Sequence, residues 1–109
     1  MYNKITLIGR LTKDPDLKYT KNGNAVSRMT LAVDRRYKNS DGEQQTDFIP
    51  IYSKLLLAET VANYLEKGKL IAVDGSLEIR SYEQEGVKKY IAEVISNDIR
   101  FLEKVEGKS

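Results

Sequence analysis

The sequence predicts an all-β protein, a closed barrel of five strands with one α-helix between the third and the fourth strand. Three observations lead to this prediction. Long stretches alternate apolar and polar residues, as strands with one buried face do, and only one stretch has apolar residues at helical spacing. A glycine also interrupts one long strand, as happens where a sheet bends. At 109 residues the chain is sufficient for one domain.

The first strand is predicted over residues 5–11, where apolar and polar residues alternate. One side of it collects the apolar residues Ile5, Leu7 and Leu11. Turn-forming residues follow at 14–16 and at 21–24, where Asp, Pro, Asn and Gly are concentrated. We therefore expect the chain to turn at both places.

The second strand is predicted over residues 25–37, with Met29, Leu31 and Val33 on one face. A polar loop from residue 38 to 46 contains an Asp-Gly pair, which is a hairpin signal. The third strand resumes over residues 48–52. Pro50 has no N–H to donate, so this strand should be an edge strand or carry a bulge.

The single helix is predicted from residue 53 to 67. Ser53 is a suitable N-terminal cap, and Gly68 is a natural stop, with Lys67 at the negative end of the helix dipole. One apolar stripe follows the helical period and consists of Leu57, Val61, Tyr64 and Leu65. We expect this stripe, with Tyr64 in it, to face the core.

Two more strands are predicted over residues 70–82 and 88–102. In the first of them, Ile71, Val73, Leu77 and Ile79 form the apolar face, and Gly75 marks a bend. The second has apolar residues on both faces, which leaves surface for a partner subunit. Five strands with one helix at this place is the plan of the oligonucleotide-binding (OB) barrel.

Composition argues against an enzyme. The chain has no Cys and no His, so it lacks thiol nucleophiles, the commonest general base and the commonest zinc ligand. Its close carboxylate pairs lie in predicted turns, without the apolar surroundings that separate two pKa values. We expect no catalytic residue, no metal and no cofactor. No apolar run exceeds four residues, so we expect no membrane partner.

Charge is distributed unevenly along the chain. The net charge is +2, but residues 1–38 hold nine Lys/Arg against three Asp, and residues 39–109 hold nine against thirteen Asp/Glu. A basic third suggests one face suited to a polyanion. The positions of two aromatic residues support the same interpretation. Tyr82 lies two residues from Arg80, and Tyr37 follows Arg36. An aromatic ring beside Arg on the outer face of a strand suits a nucleobase.

A family resemblance is carried by an ordered set of stretches. They are 3–11 (NKITLIGRL), 14–20 (DPDLKYT), 23–26 (GNAV), 30–33 (TLAV), 46–48 (TDF), 58–59 (AE), 64–68 (YLEKG), 75–77 (GSL), 80–82 (RSY) and 93–94 (EV). In this order they resemble the bacterial and phage single-stranded DNA-binding protein family along nearly the whole chain. The resemblance implies an OB barrel that forms a homo-oligomer, a homotetramer in preference to a dimer, and wraps single-stranded DNA.

The resemblance also implies site residues. The family's stacking aromatics match Tyr37, Phe48 and Tyr82, and its basic contacts match Lys4, Lys67 and Arg80, with Arg28 and Thr30 on the corresponding strand face. We add three basic residues that can neutralise phosphates, namely Arg10, Arg36 and Lys54.

The chain departs from the family pattern at two places. The stretch before the helix usually ends in Phe or Trp, followed by Gly or Arg and then Lys, but here Lys54 holds the aromatic position and Leu56 the Lys position. Either Tyr52 replaces the ring through a shifted register, or Lys54 supplies charge there. The family's long acidic-tipped tail is also absent from this sequence, which is either a naturally short member or a shortened chain. Our expected domain is residues 1–105 with a short end at 106–109, so tail-mediated contacts with replication proteins lack support.

The expected function is sequence-independent binding and protection of single-stranded DNA in replication, recombination and repair, in the cytoplasm at the nucleoid. The alternative is an OB accessory module of the primosome type, which binds RNA or replication proteins. A nuclease would need clustered carboxylates and a metal, and the sequence offers no such cluster.

Overall fold

The computed structural model describes residues 1–104, which form six strands and one helix. The elements are β1 (Ile5–Leu11), β2 (Asp16–Tyr19), β3 (Ala25–Lys38), β4 (Gln44–Lys54), α1 (Leu55–Tyr64), β5 (Leu70–Gln84) and β6 (Val87–Phe101). The expected short end at residues 106–109 lies outside the described residues.

Five of the strands close into a barrel. The hydrogen-bonded order is β1-β5-β6-β4-β3, and β3 returns to β1 at the pairs Arg10–Ala32 and Leu11–Leu31. The helix α1 lies between β4 and β5, which are the third and fourth strands of this barrel. The predicted five-stranded OB barrel with one helix at that place is therefore confirmed.

Strand β2 is an addition that the sequence does not predict. A turn is expected over residues 14–16, but Asp16 already begins β2, which pairs antiparallel with β3 outside the closed ring. Only Leu17 in β2 is partly buried, so the strand has no alternating apolar pattern to reveal it. Backbone hydrogen bonds to β3, rather than side-chain burial, define this strand.

The core fills the barrel, and every barrel strand contributes to it. Its buried apolar residues are Leu11, Met29, Leu31, Ile51, Val61, Leu65, Ile71, Val73 and Val94. From the predicted inner faces of β1, β3 and β5 the core includes Leu11, Met29, Leu31, Ile71 and Val73, and Ile5, Leu7 and Val33 pack against it partly buried. The helix covers one end of the barrel with Ala58 and Val61, both completely buried.

Strand β4 is longer than predicted and has only a short loop before it. It begins at Gln44 rather than residue 48, and it pairs with β3 along most of its length. It meets β6 only at Ile51 and Tyr52. The part that contains Pro50 therefore has a strand neighbour on one side only, which agrees with the predicted edge position.

The predicted helix boundaries are wrong at both ends. The helix begins at Leu55, its N-cap residue is Lys54, and no side chain caps it. Ser53 instead belongs to β4, where its buried Oγ lies 2.6 Å from the Oγ of Ser96. The helix ends at Tyr64, so Lys67 does not lie in its last turn and cannot stabilise its dipole there.

Tyr64 is not a core residue, contrary to the prediction. Its side chain is 43% exposed, and its ring lies beside Phe101 with the two centroids 6.3 Å apart. The helix ends at this residue, so Tyr64 lies at the margin of the stripe whose centre, Val61, is fully buried.

Gly75 marks the bend predicted for β5. A Cβ at this position would collide with the backbone carbonyl of Ile95, and the β5–β6 register shifts between Asp74 and Gly75. Beyond the bend, residues 77–92 form a two-stranded extension that we call the arm. The predicted apolar face of β5 is divided by this bend, because Leu77 and Ile79 in the arm are exposed in the single chain.

Candidate functional site

The register of β3 and β4 puts three candidate residues on one outer face. Arg28 lies opposite Tyr52, Thr30 opposite Pro50, and Ala32 opposite Phe48. Residues at alternate positions of a strand share a face, so Arg28, Thr30 and Phe48 line up along the barrel surface. The ring of Phe48 is 66% exposed and open to a ligand.

Two candidate arginines meet at one buried carboxylate. The Oε2 atom of Glu93 lies 3.2 Å from Nη1 of Arg28 and 3.7 Å from Nη2 of Arg80. The Glu93 side chain is only 9% exposed, whereas those of Arg28 and Arg80 are 51% and 54% exposed. The carboxylate therefore lies beneath two guanidinium groups that remain accessible.

Tyr52 completes this arrangement. Cζ of Arg28 lies 4.7 Å from the centroid of the Tyr52 ring, and Nζ of Lys54 lies 6.0 Å from it. Both distances are within the range of cation–π attraction. We call Arg28, Tyr52, Arg80 and Glu93 the Glu93 cluster. A cavity of about 490 Å³ opens beside it, with Lys54, Leu55 and Ile95 also in its wall.

Tyr37 and Arg36 lie elsewhere, near the loop between β3 and β4. They line an open depression of about 520 Å³ together with Arg35 and Asp47. Arg35 donates two hydrogen bonds of 3.0 Å to the carboxylate of Asp47. This pairing lowers the pKa of Asp47, chiefly through the hydrogen bond, and raises the pKa of Arg35. The exposed Tyr37 ring thus lies beside an arginine whose charge is already paired with that of Asp47.

Tyr82 lies on the arm, two residues beyond Arg80 and on the same face of β5. Its side chain is 48% exposed, and its cross-strand neighbour is Lys89. The arm therefore extends the charged and aromatic surface away from the barrel, continuous with the Glu93 cluster through Arg80.

Arg10 is bound at the end of the barrel. Its Nη1 donates to the carbonyl of Gly68 at 2.9 Å and to Oε1 of Glu103 at 3.2 Å. Glu103 also accepts a hydrogen bond from the backbone N–H of Leu70, and this bond is the main cause of its lowered pKa. Arg10 is thus committed to a structural contact, although its side chain remains 55% exposed.

Lys4 and Lys67 lie apart from the Glu93 cluster. Both are exposed, and within residues 1–104 neither side chain forms a hydrogen bond or an ion pair. The backbone N–H of Lys67 donates to Oδ1 of Asp14 at 2.8 Å, which ties the segment after the helix to the segment before β2.

Sequence reasoning missed two residues of this surface. Glu93 belongs to a matched stretch, but no local pattern indicates its role, because its partners Arg28 and Arg80 lie on β3 and β5. Lys13 lines a small cavity with Arg28, Thr30 and Pro50. Its only signal is that it belongs to the basic first third of the chain.

The chemistry of this surface is that of binding. It offers exposed rings, planar guanidinium groups and ammonium groups, which can stack on bases and neutralise phosphates. Within residues 1–104, no three His, Cys, Asp or Glu residues lie close enough together to hold a metal ion. In the same described part, no helix is both long and apolar enough to cross a membrane.

Comparison with known proteins gives consistent matches. A model described as the single-strand binding protein family matches residues 2–102. A single-stranded DNA-binding protein of Bacillus cereus is 51% identical over 108 residues, which cover 98% of this chain and 64% of that protein. Single-stranded DNA-binding protein B of Bacillus subtilis is 46% identical over 104 residues, which cover 94% of this chain and 92% of that protein.

A solved structure, described as the Plasmodium falciparum SSB complex with ssDNA, is also similar. Its TM-score is 0.84 at 31% sequence identity, and the match covers 94% of this chain and 96% of that one. The chain thus corresponds to nearly all of this structure, but it spans less than two thirds of the length of the Bacillus cereus protein.

Proposed function

The chain belongs to the single-strand binding protein family, and from this premise we propose that it binds single-stranded DNA without regard to sequence. In this role it holds and protects exposed strands during replication, recombination and repair, and it catalyses no reaction. Residues 1–105 form its binding domain. The location that follows from this role is the cytoplasm, at the nucleoid.

The observation that carries the proposal is the outer face shared by β3, β4 and β5. Exposed rings and exposed guanidinium groups lie together there, in Phe48, Arg28, Arg80 and Tyr82. Stacking on an aromatic ring is worth about 1–3 kcal/mol per base and tolerates any base. Lysine and arginine contacts to phosphates release counterions and make the affinity dependent on salt.

Titration with oligo(dT) and with a DNA duplex of equal length, at the same salt concentration, tests this proposal. Bases in a duplex are not free to stack on protein rings, so we expect much tighter binding to the single strand. Equal affinity for both would contradict the proposal. Competition with an RNA oligomer belongs in the same series, and a preference for RNA would favour the accessory-module alternative.

A variant at the arm tests the proposed stacking role of Tyr82. We expect Tyr82→Ala to lower the affinity for oligo(dT) roughly tenfold, because it removes one stacked base worth about 1–3 kcal/mol. Tyr2→Ala is the matched control, since Tyr2 is also an exposed tyrosine but lies before β1, outside the arm. An unchanged affinity in Tyr82→Ala would remove this residue from the site.

We include assembly of several copies in the proposal, a homotetramer in preference to a dimer. Support comes from the arm, where Leu77, Ile79 and Tyr90 lie exposed on the face opposite Arg80 and Tyr82. Apolar side chains grouped on one exposed face are typical of an interaction surface. Light scattering would give the assembly mass as a multiple of 12.4 kDa.

A further inference from the structure

The Glu93 cluster contains an arrangement that phosphate binding alone does not explain. Neutralising a phosphate requires only an accessible positive charge. Arg28 is instead held twice, by its ion pair with Glu93 at 3.2 Å and by the Tyr52 ring 4.7 Å from its Cζ. It nevertheless remains 51% exposed. The guanidinium group thus contacts the Tyr52 ring while about half of the Arg28 side chain is open to solvent.

This arrangement lies where the family pattern has lost a ring. Lys54 holds the aromatic position, but an ammonium group has no flat surface on which a base can stack. A guanidinium is planar, and RNA- and DNA-binding proteins use it to stack on bases as they use aromatic rings. The cavity beside Arg28 has a volume of about 490 Å³, which is within the range of small-molecule sites.

On the basis of the proposed function, we propose that Arg28 is the base-stacking platform of this cavity, layered on Tyr52 and held in place by Glu93. Tyr52 acts from beneath, as the support of the guanidinium, and Lys54 contributes charge at the rim. Glu93 is a positioning residue, because its buried carboxylate restricts Arg28 before a ligand arrives. Such restriction reduces the side-chain entropy that binding would otherwise cost.

The electrostatics of the cluster fit this role. Arg28 and Arg80 share one oxygen of Glu93, so two positive charges are offset by one negative charge and the cluster keeps a net positive charge. A phosphate beside a stacked base can therefore be bound by Arg80 and Lys54 while Arg28 holds the base. The cross-strand neighbour of Glu93 on β5 is Glu78, which lines the same cavity and forms no ion pair within residues 1–104.

Two probes separate stacking from charge: oligo(dT), and an abasic oligonucleotide of equal length that has phosphates and sugars but no bases. Arg28→Lys keeps the charge and removes the planar group. We expect it to lower the affinity for oligo(dT) about tenfold, as the loss of one stacked base does, and to leave the affinity for the abasic strand unchanged. An equal loss for both probes, or no loss for either, would overturn the proposal.

The ratio of the affinity for oligo(dT) to the affinity for the abasic strand also tests Tyr52 and Glu93. Tyr52→Leu removes the support of Arg28 and should lower the oligo(dT)-to-abasic ratio, whereas Tyr52→Phe should preserve it. Glu93→Gln should lower the ratio, and Glu78→Gln should not, although both variants remove one negative charge from the same cavity. If Glu93→Gln and Glu78→Gln gave the same ratio, Glu93 would not be a positioning residue.

A measurement on the unmodified protein tests the proposal even if one of the variants does not fold. In NMR spectra, a base that stacks on Arg28 should shift the Nε–Hε signal of this residue upfield through its ring current. The abasic strand should cause no such shift. Weak binding of the parent protein to oligo(dT) would refute the proposed function itself, whereas tight binding without this shift would refute only the role of Arg28.

Discussion

Leu55 has a backbone conformation that its side chain disfavours. Among the residues that the structure describes, only Leu55 and Glu85 have a positive φ without being glycine, and φ of Leu55 is 58°. Glu85 lies in a two-residue hairpin turn with Gly86, which commonly takes such angles. Leu55 instead lies at the junction of β4 and α1, where the family usually has Gly or Arg. The unfavourable backbone angle is therefore confined to Leu55.

Replacing Leu55 with glycine should therefore stabilise the protein. A side chain in the left-handed region costs about 1–2 kcal/mol, and Leu55 is 58% exposed, so little burial is lost. We expect Leu55→Gly to raise the free energy of unfolding by about 1 kcal/mol, measured by urea denaturation. Leu56→Gly is the control. Leu56 lies in the helix, so this substitution should lower the free energy of unfolding by about 1 kcal/mol. If both substitutions lowered the free energy of unfolding equally, the backbone of Leu55 would not be strained.

Single residues also show where sequence reasoning reaches its limit. Ser53 has the composition of a helix cap, but its hydroxyl pairs with Ser96, a partner 43 positions away that no local pattern reveals. Glu93 is polar in an otherwise apolar stretch, and only the topology that brings Arg28 and Arg80 to it explains its burial. Exposure of Tyr82 was predictable, because it lies on the polar face of an alternating strand, whereas Phe48 shares its face with Pro50 and Tyr52 and gives no such signal.

At the scale of elements, alternation predicted the long strands because each buries one face in the barrel. It missed β2 because four residues with one partly buried side chain contain no period. It also could not foresee that the apolar face of β5 leaves the barrel after Gly75, since alternation continues unchanged along the arm. The bend is a property of packing, in which the backbone of β5 approaches that of β6 too closely for any side chain.

The β3–β4 hairpin contains a pH-sensitive contact. The pKa of Asp47 is lowered by Arg35 in the folded state, so the pair stabilises the fold above the ordinary Asp pKa of about 4 and loses that effect as the pH falls through the lowered value. We expect the stability difference between the parent and Asp47→Asn to be constant from about pH 7 to 5 and to shrink below about pH 4.

Thermal unfolding across this pH range measures that difference. Arg35→Gln provides the control, because without the arginine the Asp47→Asn substitution should no longer produce a pH-dependent difference. The double variant therefore isolates the ion pair from other effects of the substitution. A stability difference that stays constant down to pH 2.5 would show that the pair does not act on folding.

At the scale of the whole molecule, the two faces of the arm have different chemistry. One face presents Arg80 and Tyr82, and the other presents Leu77, Ile79 and Tyr90. The first continues the proposed DNA surface, and the second suits a further copy of the chain. The net charge of +2 therefore does not reveal that one surface is basic and aromatic while another is apolar.

A charge on the apolar face should disrupt the proposed assembly. We expect Ile79→Glu to reduce the assembly mass measured by light scattering, because a carboxylate buried between subunits has no partner to offset its desolvation. Val87→Glu is the control, since Val87 is equally apolar and 57% exposed but lies on the face of Tyr82. Unchanged mass in Ile79→Glu would place the contact between subunits elsewhere.

The narrow closure between β1 and β3 has a consequence for motion. The ring is joined there only at Arg10–Ala32 and Leu11–Leu31, and β4 likewise meets β6 at only two residues, whereas β5 and β6 are paired along almost their whole length. Local opening proceeds most readily where the fewest backbone hydrogen bonds must break. In a hydrogen–deuterium exchange experiment, these two seams should therefore exchange before the β5–β6 pair, while β1 remains attached through β5 and β4 through β3. The barrel is thus a curled sheet that is closed by a small number of backbone pairs.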